Sequence, residues 1–151
     1  MNRTILAVMI VLCIAGGAIA QSQCLNLSGI YQIEEQTGSI QLTIVQTGCT
    51  EIRIDRRTTS RGRTATEQHT LKIDGQFHPD AGWSGSEKLQ TSATFTSGAL
   101  EITARPATAT NAADFVWKRL FVMRSNGDLD IREFSKKDAA YIPTATAVRQ
   151  Q

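Results

Sequence analysis

The residues of this chain best equipped for chemistry are two histidines with acids close by, a run of arginines and three cysteines. Glu67 and His69 are two positions apart and share one face of a strand, and His78-Pro79-Asp80 offers two more ligands a little further on. A metal site can be drawn from these residues, but they follow no established ligand spacing, and exposed polar groups at a strand end and a loop account for them more simply. No metal is expected. Neither histidine stands in a Ser or Cys nucleophile motif, and the two cysteines outside the N-terminal leader are claimed by a disulfide. The expectation is therefore no catalytic residue, no cofactor and a non-enzymatic protein.

Arg53, Arg56, Arg57, Arg61 and Arg63 fall within eleven residues and are interrupted by a single acid, Asp55. Guanidinium forks suit carboxylate and phosphate, so Arg56, Arg57, Arg61 and Arg63 form a candidate anion-binding loop for an anionic envelope component. The simpler reading is a hairpin loop kept solvated by its charge. No aromatic residue is interleaved with the arginines, as a single-strand nucleic-acid binder would require.

The N-terminus sets the compartment. Arg3 precedes an apolar run from Ile5 to Ile14, Gly16-Gly17 breaks it, and Ala18-Ile19-Ala20 places small residues where a signal peptidase reads the chain. The run is shorter than the roughly 20 residues that span a bilayer. Residues 1–20 are thus expected to be a cleaved export signal, leaving about 130 residues, periplasmic or secreted, with no transmembrane segment. Of the 16 Lys and Arg only Arg3 lies in the leader, and none of the 14 Asp and Glu does, so the remainder carries fifteen against fourteen. That near-neutrality argues against a nucleic-acid partner.

The elements that must position these groups are strands. From Gly29 onward apolar residues alternate with polar ones and turn residues recur about every ten positions. Eight strands are expected, from Ile30–Glu34 through Ile40–Ile44, Ile52–Asp55, Thr64–Ile73, Leu89–Phe95, Leu100–Thr103 and Phe115–Arg124 to Leu129–Arg132. Asn126-Gly127 should make a two-residue turn with positive φ at both centres. Arg56–Arg63, Gly75–Ser86 and Pro106–Asp114 read as connections. Residues 135–151 read as a partly disordered tail, so the domain is 21–134. Closure into an up-and-down barrel removes the open edges, and a two-sheet sandwich is the alternative that the same pattern permits. If the first hairpin turns at Gln36-Thr37-Gly38, Cys24 and Cys49 lie nearly opposite each other at its far end, and a Cys24–Cys49 disulfide is expected.

The stretch from Cys24 to Tyr31 resembles the opening of calycin-type barrels such as lipocalins and avidins, with Gly29 and Tyr31 matching a Gly-X-aromatic motif at the start of the first strand. The resemblance extends to small lipocalin-like proteins of bacterial envelopes through Gln46-Thr47-Gly48-Cys49. It implies that Gly29 and Tyr31 close one barrel end beneath an arginine of the last strand, here Arg132. The several tryptophans of an avidin site are lacking, so biotin is not expected. Phe95, Phe115, Trp117, Phe121 and Met123 are the candidates to line a cavity; the alternative is a filled or narrow interior, toward which the small inward residues Thr91, Ala93 and Ala104 incline. The leading expectation is an exported binding protein for a small apolar ligand or an envelope component, and the alternatives are an interaction module such as a protease inhibitor or a structural envelope protein. Partner and oligomeric state are left open. An apolar cavity open at one end favours the first; a filled interior with a protruding loop favours the second.

Overall fold

A computed structural model describes residues 24–80, 82, 88–111 and 113–151, so the expected export signal lies outside the described residues. Ten strands run in chain order: β1 (Gly29–Glu35), β2 (Gly38–Thr47), β3 (Glu51–Ser60), β4 (Arg63–Lys72), β5 (His78–Pro79), β6 (Leu89–Thr96), β7 (Ala99–Pro106), β8 (Trp117–Met123), β9 (Leu129–Ser135) and β10 (Ala140–Arg149). No helix occurs among the described residues. All ten strands belong to one antiparallel order, β4-β3-β2-β1-β10-β9-β8-β7-β6-β5, which curls so that β4 approaches β6. The fold is the antiparallel up-and-down barrel, not the sandwich.

The two strands beyond the expected eight are the short β5 and the long β10. The tail expected to be partly disordered instead supplies β10, which pairs with β9 along its length and with β1 through Tyr31–Arg149 and Gln32–Val148. Its inward residues are small: Ala145 packs against the core and Ala147 is fully buried, while Pro143 sits at a register shift where a strand tolerates a missing donor. Low apolar bulk is what made this segment read as a tail. A second difference is the arginine run, which is a hairpin rather than a loop: β3 and β4 pair without interruption from Glu51–Lys72 to Ser60–Arg63, and the turn is Arg61-Gly62, both at positive φ. At the β8–β9 connection only Gly127 takes positive φ. Asn126 instead uses its side-chain oxygen to accept from the Asp128 amide, and Arg124 and Asp128 pair across a wider loop.

One end of the barrel is solid. Tyr31 is fully buried, and its hydroxyl donates to the Leu27 carbonyl at 2.9 Å; Leu27 is itself fully buried. Arg149 of β10 lies over the Tyr31 ring with its guanidinium 6.0 Å from the centroid and donates to the Ser28 carbonyl at 2.9 Å. A side chain at position 29 would meet both Tyr31 and Arg149 at 3.2 Å, so Gly29 fits where a larger residue would crowd the plug. Arg132 was the expected partner, but it alternates with the inward Leu129 and Ile131 and therefore faces out, 3.5 Å from Asp130. The arginine from the strand that neighbours β1 is Arg149. Just outside the plug, Cys24 and Cys49 are joined by a disulfide with Cα atoms 5.6 Å apart. The observed β1–β2 pairs, such as Tyr31 with Leu42, total 73, the total of the two cysteine numbers.

The long side of the barrel has a seam. Among the described residues no ladder joins β4 to β5 or β6; the bridge is a side-chain one, in which His69 Nδ1 of β4 lies 3.0 and 3.1 Å from the two carboxylate oxygens of Asp80, just beyond β5. Asp80 is 2% exposed, and its carboxylate also accepts the Gly82 amide at 3.0 Å. A Cβ at Gly82 would lie 1.8 Å from the Gln68 carbonyl oxygen, so only glycine lets the chain lie this close to β4. The hydrogen bond to Asp80 raises the His69 pKa above its ordinary value against the opposing effect of burial, helped by the charges of Asp80 and Glu67 and opposed by Arg119.

Three outcomes follow from this closure. Replacing both Cys24 and Cys49 with Ser should lower stability by about 3.5 kcal/mol, since the closed loop spans 25 residues; thermal unfolding should register a fall of roughly 10 °C, and an unchanged midpoint would show that the clamp holds nothing. Tyr31→Phe leaves the Leu27 carbonyl without its partner and should cost about 1–3 kcal/mol in urea unfolding. His69→Gln should cost on the order of 2 kcal/mol at pH 6, a charged hydrogen bond being lost. Because the folded-state pKa of His69 is raised, its contribution is complete below about pH 6.5 and is lost as pH rises through the raised value. The difference between wild type and His69→Gln should therefore shrink toward pH 9; a constant or growing difference would contradict the seam pairing.

Candidate functional site

Strand parity places one side chain in two inside the barrel, and the inward set changes character along its length. Beside the Tyr31 plug the interior is filled by Leu27, Ile44, Ile52, Leu100 and Leu129, each no more than 2% exposed. Beyond them the side chains no longer meet. A cavity of about 470 Å³ opens there, with inward residues from β1, β2, β3, β4, β6, β7, β8, β9 and β10 around it. Its apolar wall is made by Ile33, Ile40, Leu42, Ile54, Ile102 and Phe121. Away from the plug the interior is neither filled nor narrow, although Thr91, Ala93 and Ala104 do face inward; with side chains this small, β6 and β7 leave the space unfilled.

Of the five expected lining residues, Trp117 and Phe121 line the cavity. Phe95 and Met123 pack against the core instead. Phe115 lies outside, edge-on to Phe134 at 5.7 Å, and Phe134 in turn meets Tyr141 at 5.3 Å. Phe115 precedes β8 and is not part of its alternation, so parity with Trp117 does not carry it inward.

The cavity also contains charge, beyond the aromatic lining expected from the sequence. Arg56 of β3 pairs with Glu67 of β4 at 3.4 Å. Arg119 of β8 pairs with Glu133 of β9 at 3.6 Å, and its guanidinium stacks 4.7 Å from the Trp117 ring. His69 and Asp80 form the third pair. The signal was present in the alternation: Arg56 has the parity of Ile52 and Ile54, Arg119 that of Trp117 and Phe121, and Glu133 that of Leu129 and Ile131. All three pairs are cross-strand or cross-seam, and the two arginine pairs are part-exposed to the open interior, where water limits the desolvation that a sealed core would impose.

The candidate anion site is divided by the same alternation. Arg56 points into the barrel; Arg57 is exposed on the opposite face; Arg61 is in the turn; and Arg63, with Arg61, lines a separate and more open depression at the hairpin tip with Thr58, Ser60, Thr64 and Ala65. The four do not converge on one surface. The histidines likewise separate: His78 Nε2 meets Asp74 at 2.8 Å, away from His69, and among the described residues no group of three or more His, Cys, Asp or Glu is placed to hold a metal ion.

No family model matches the chain. No curated protein matches it either. Solved structures do. An alanine mutant of the fluorescent protein UnaG superposes with a TM-score of 0.57 at 9% identity, covering 82% of this chain and 96% of that one. The REP1-NXSQ fatty acid transporter superposes with a TM-score of 0.52 at 11% identity, covering 83% and 96%. At such identities the likeness is one of fold: the chain shares the antiparallel β-barrel of these proteins.

Proposed function

We propose that this chain is an exported, non-enzymatic binding protein that holds a small apolar ligand inside its barrel. The observation that carries the reading is the cavity of about 470 Å³, walled by aliphatic and aromatic side chains, between a solid end and an open one. Its volume falls in the range of small-molecule sites, roughly 300–1,000 Å³, and such sites are mostly apolar with a few placed polar groups. A fatty acid transporter among the structures of the same fold agrees with this reading. The clamp between Cys24 and Cys49 suits an oxidising compartment, and the leader at residues 1–20 supplies the route. Within the described barrel Arg56, Arg119 and His69 each pair with a carboxylate across strands or the seam, and we assign no reaction to them.

The uncharged solvatochromic dye Nile red tests the chamber. Its emission should rise and shift to the blue on saturable binding at one site per chain. Ala145 lines the cavity, and Ala145→Trp should weaken binding at least tenfold while the thermal midpoint moves by only a few degrees. Equal binding by wild type and variant would place the dye elsewhere and overturn the proposal.

A further inference from the structure

The cavity's ionisable residues do not balance, and the imbalance specifies the polar end of its ligand. On the acidic side stand Glu35, Glu67, Asp80 and Glu133; on the basic side stand Arg56, Arg119 and His69. Each of the three cations is already engaged with a carboxylate, Arg56 with Glu67, Arg119 with Glu133 and His69 with Asp80. Glu35 is the fourth acid. It ends β1 at the open side, one inward position beyond Ile33, and it is exposed. Among the described residues the lining is therefore one negative charge in excess even with His69 protonated, and two with it neutral. Arg61 and Arg63 do not correct this, since they line the separate depression at the hairpin tip.

We infer that the barrel is selective for a cationic amphiphile: an apolar chain or ring system bearing an amine or comparable positive head group. The inference rests on the reading of the cavity as an apolar-ligand chamber. Among the described residues an anionic head would find every lining cation occupied, and to gain an arginine it must displace a carboxylate and leave that carboxylate facing it. A cationic head needs no displacement. It can lie against Glu35 at the mouth and share the outer oxygens of Glu67 or Glu133, while its apolar portion lies along Ile40, Ile102 and Phe121. Charge–charge attraction in a partly hydrated, low-dielectric chamber is stronger than in bulk water, so the preference should be measurable at physiological salt.

Displacement of bound Nile red by dodecylamine and by dodecanoate, matched in chain length and used below their aggregation concentrations at pH 7, tests the assignment. Dodecylamine should displace the dye at a concentration at least tenfold lower. Glu133→Gln removes one acid and frees Arg119, so it should move the preference toward dodecanoate by tenfold or more; Glu35→Gln should weaken dodecylamine alone. Dodecanoate equal to or better than dodecylamine on the wild type overturns the charge assignment while leaving the chamber intact, as does a ratio unmoved by Glu133→Gln. Dye that neither amphiphile displaces overturns it also. Failure of Nile red itself to bind is the distinct result that overturns the chamber and the selectivity together.

Discussion

The join between the two halves of this barrel depends on one buried phenol. In the strand order the run β4-β3-β2-β1 meets the run β10-β9-β8-β7-β6-β5 where the first strand of the chain pairs with the last, over two residues at Tyr31 and Gln32. So short a ladder contributes little by itself. Tyr31 supplies what it lacks: the ring fills the barrel end, the hydroxyl returns to the Leu27 carbonyl and folds the preceding segment across the opening, and Arg149 covers the ring from β10. Burial of the phenol is acceptable because its hydroxyl is satisfied. Burial also raises its pKa above the ordinary tyrosine value, in spite of the nearby Arg149 charge, so the phenol stays neutral throughout the physiological range. The disulfide lies just outside this plug and holds Cys24 against the end of the first hairpin.

A solid end forces the functional asymmetry of the molecule. Close-packed aliphatic side chains are concentrated around Tyr31, whereas the inward positions further along β3, β4, β8 and β9 carry Arg56, Glu67, Arg119 and Glu133, which are long and flexible and are held apart by pairing with neighbours in their own sheet. Paired in this way they line space rather than fill it. The seam between β4 and β6 adds a third pair, His69 with Asp80, in place of the backbone bonds that close the barrel elsewhere. The interior thus grades from dry and aliphatic to open and charged, a graded environment suited to an amphiphile with one apolar and one polar end.

Much of this arrangement was legible in the alternation of residue types. The antiparallel meander, the disulfide pairing and the placement of Gly29 and Tyr31 beside each other at the start of β1 all follow from local pattern and turn spacing, which are short-range properties. Where structure and local pattern part, the cause is common: parity, not local bulk or charge, decides which side chains face inward. Ala145 and Ala147 are too small to announce a strand, so local pattern does not reveal β10 or Arg149 as the arginine over Tyr31. Five arginines close together suggested a loop, although Arg56 continues the inward phase of Ile52 and Ile54 without a break. His69 and Asp80 stand eleven positions apart among residues capable of chemistry, but their meeting across a seam depends on how far the sheet curls, and no local pattern contains that.

The central claim is that the half of the barrel remote from Tyr31 is a chamber and the half around Tyr31 is solid. Backbone amide chemical shifts recorded while the uncharged dye is titrated into isotopically labelled protein test this most directly. Shifts should move at Ile33, Ile40, Ile54, Ile102 and Phe121 and stay in place at Leu27, Leu129 and Ala147. Perturbation centred on the exterior Phe115, Phe134 and Tyr141 cluster, or on the plug itself, would contradict the account.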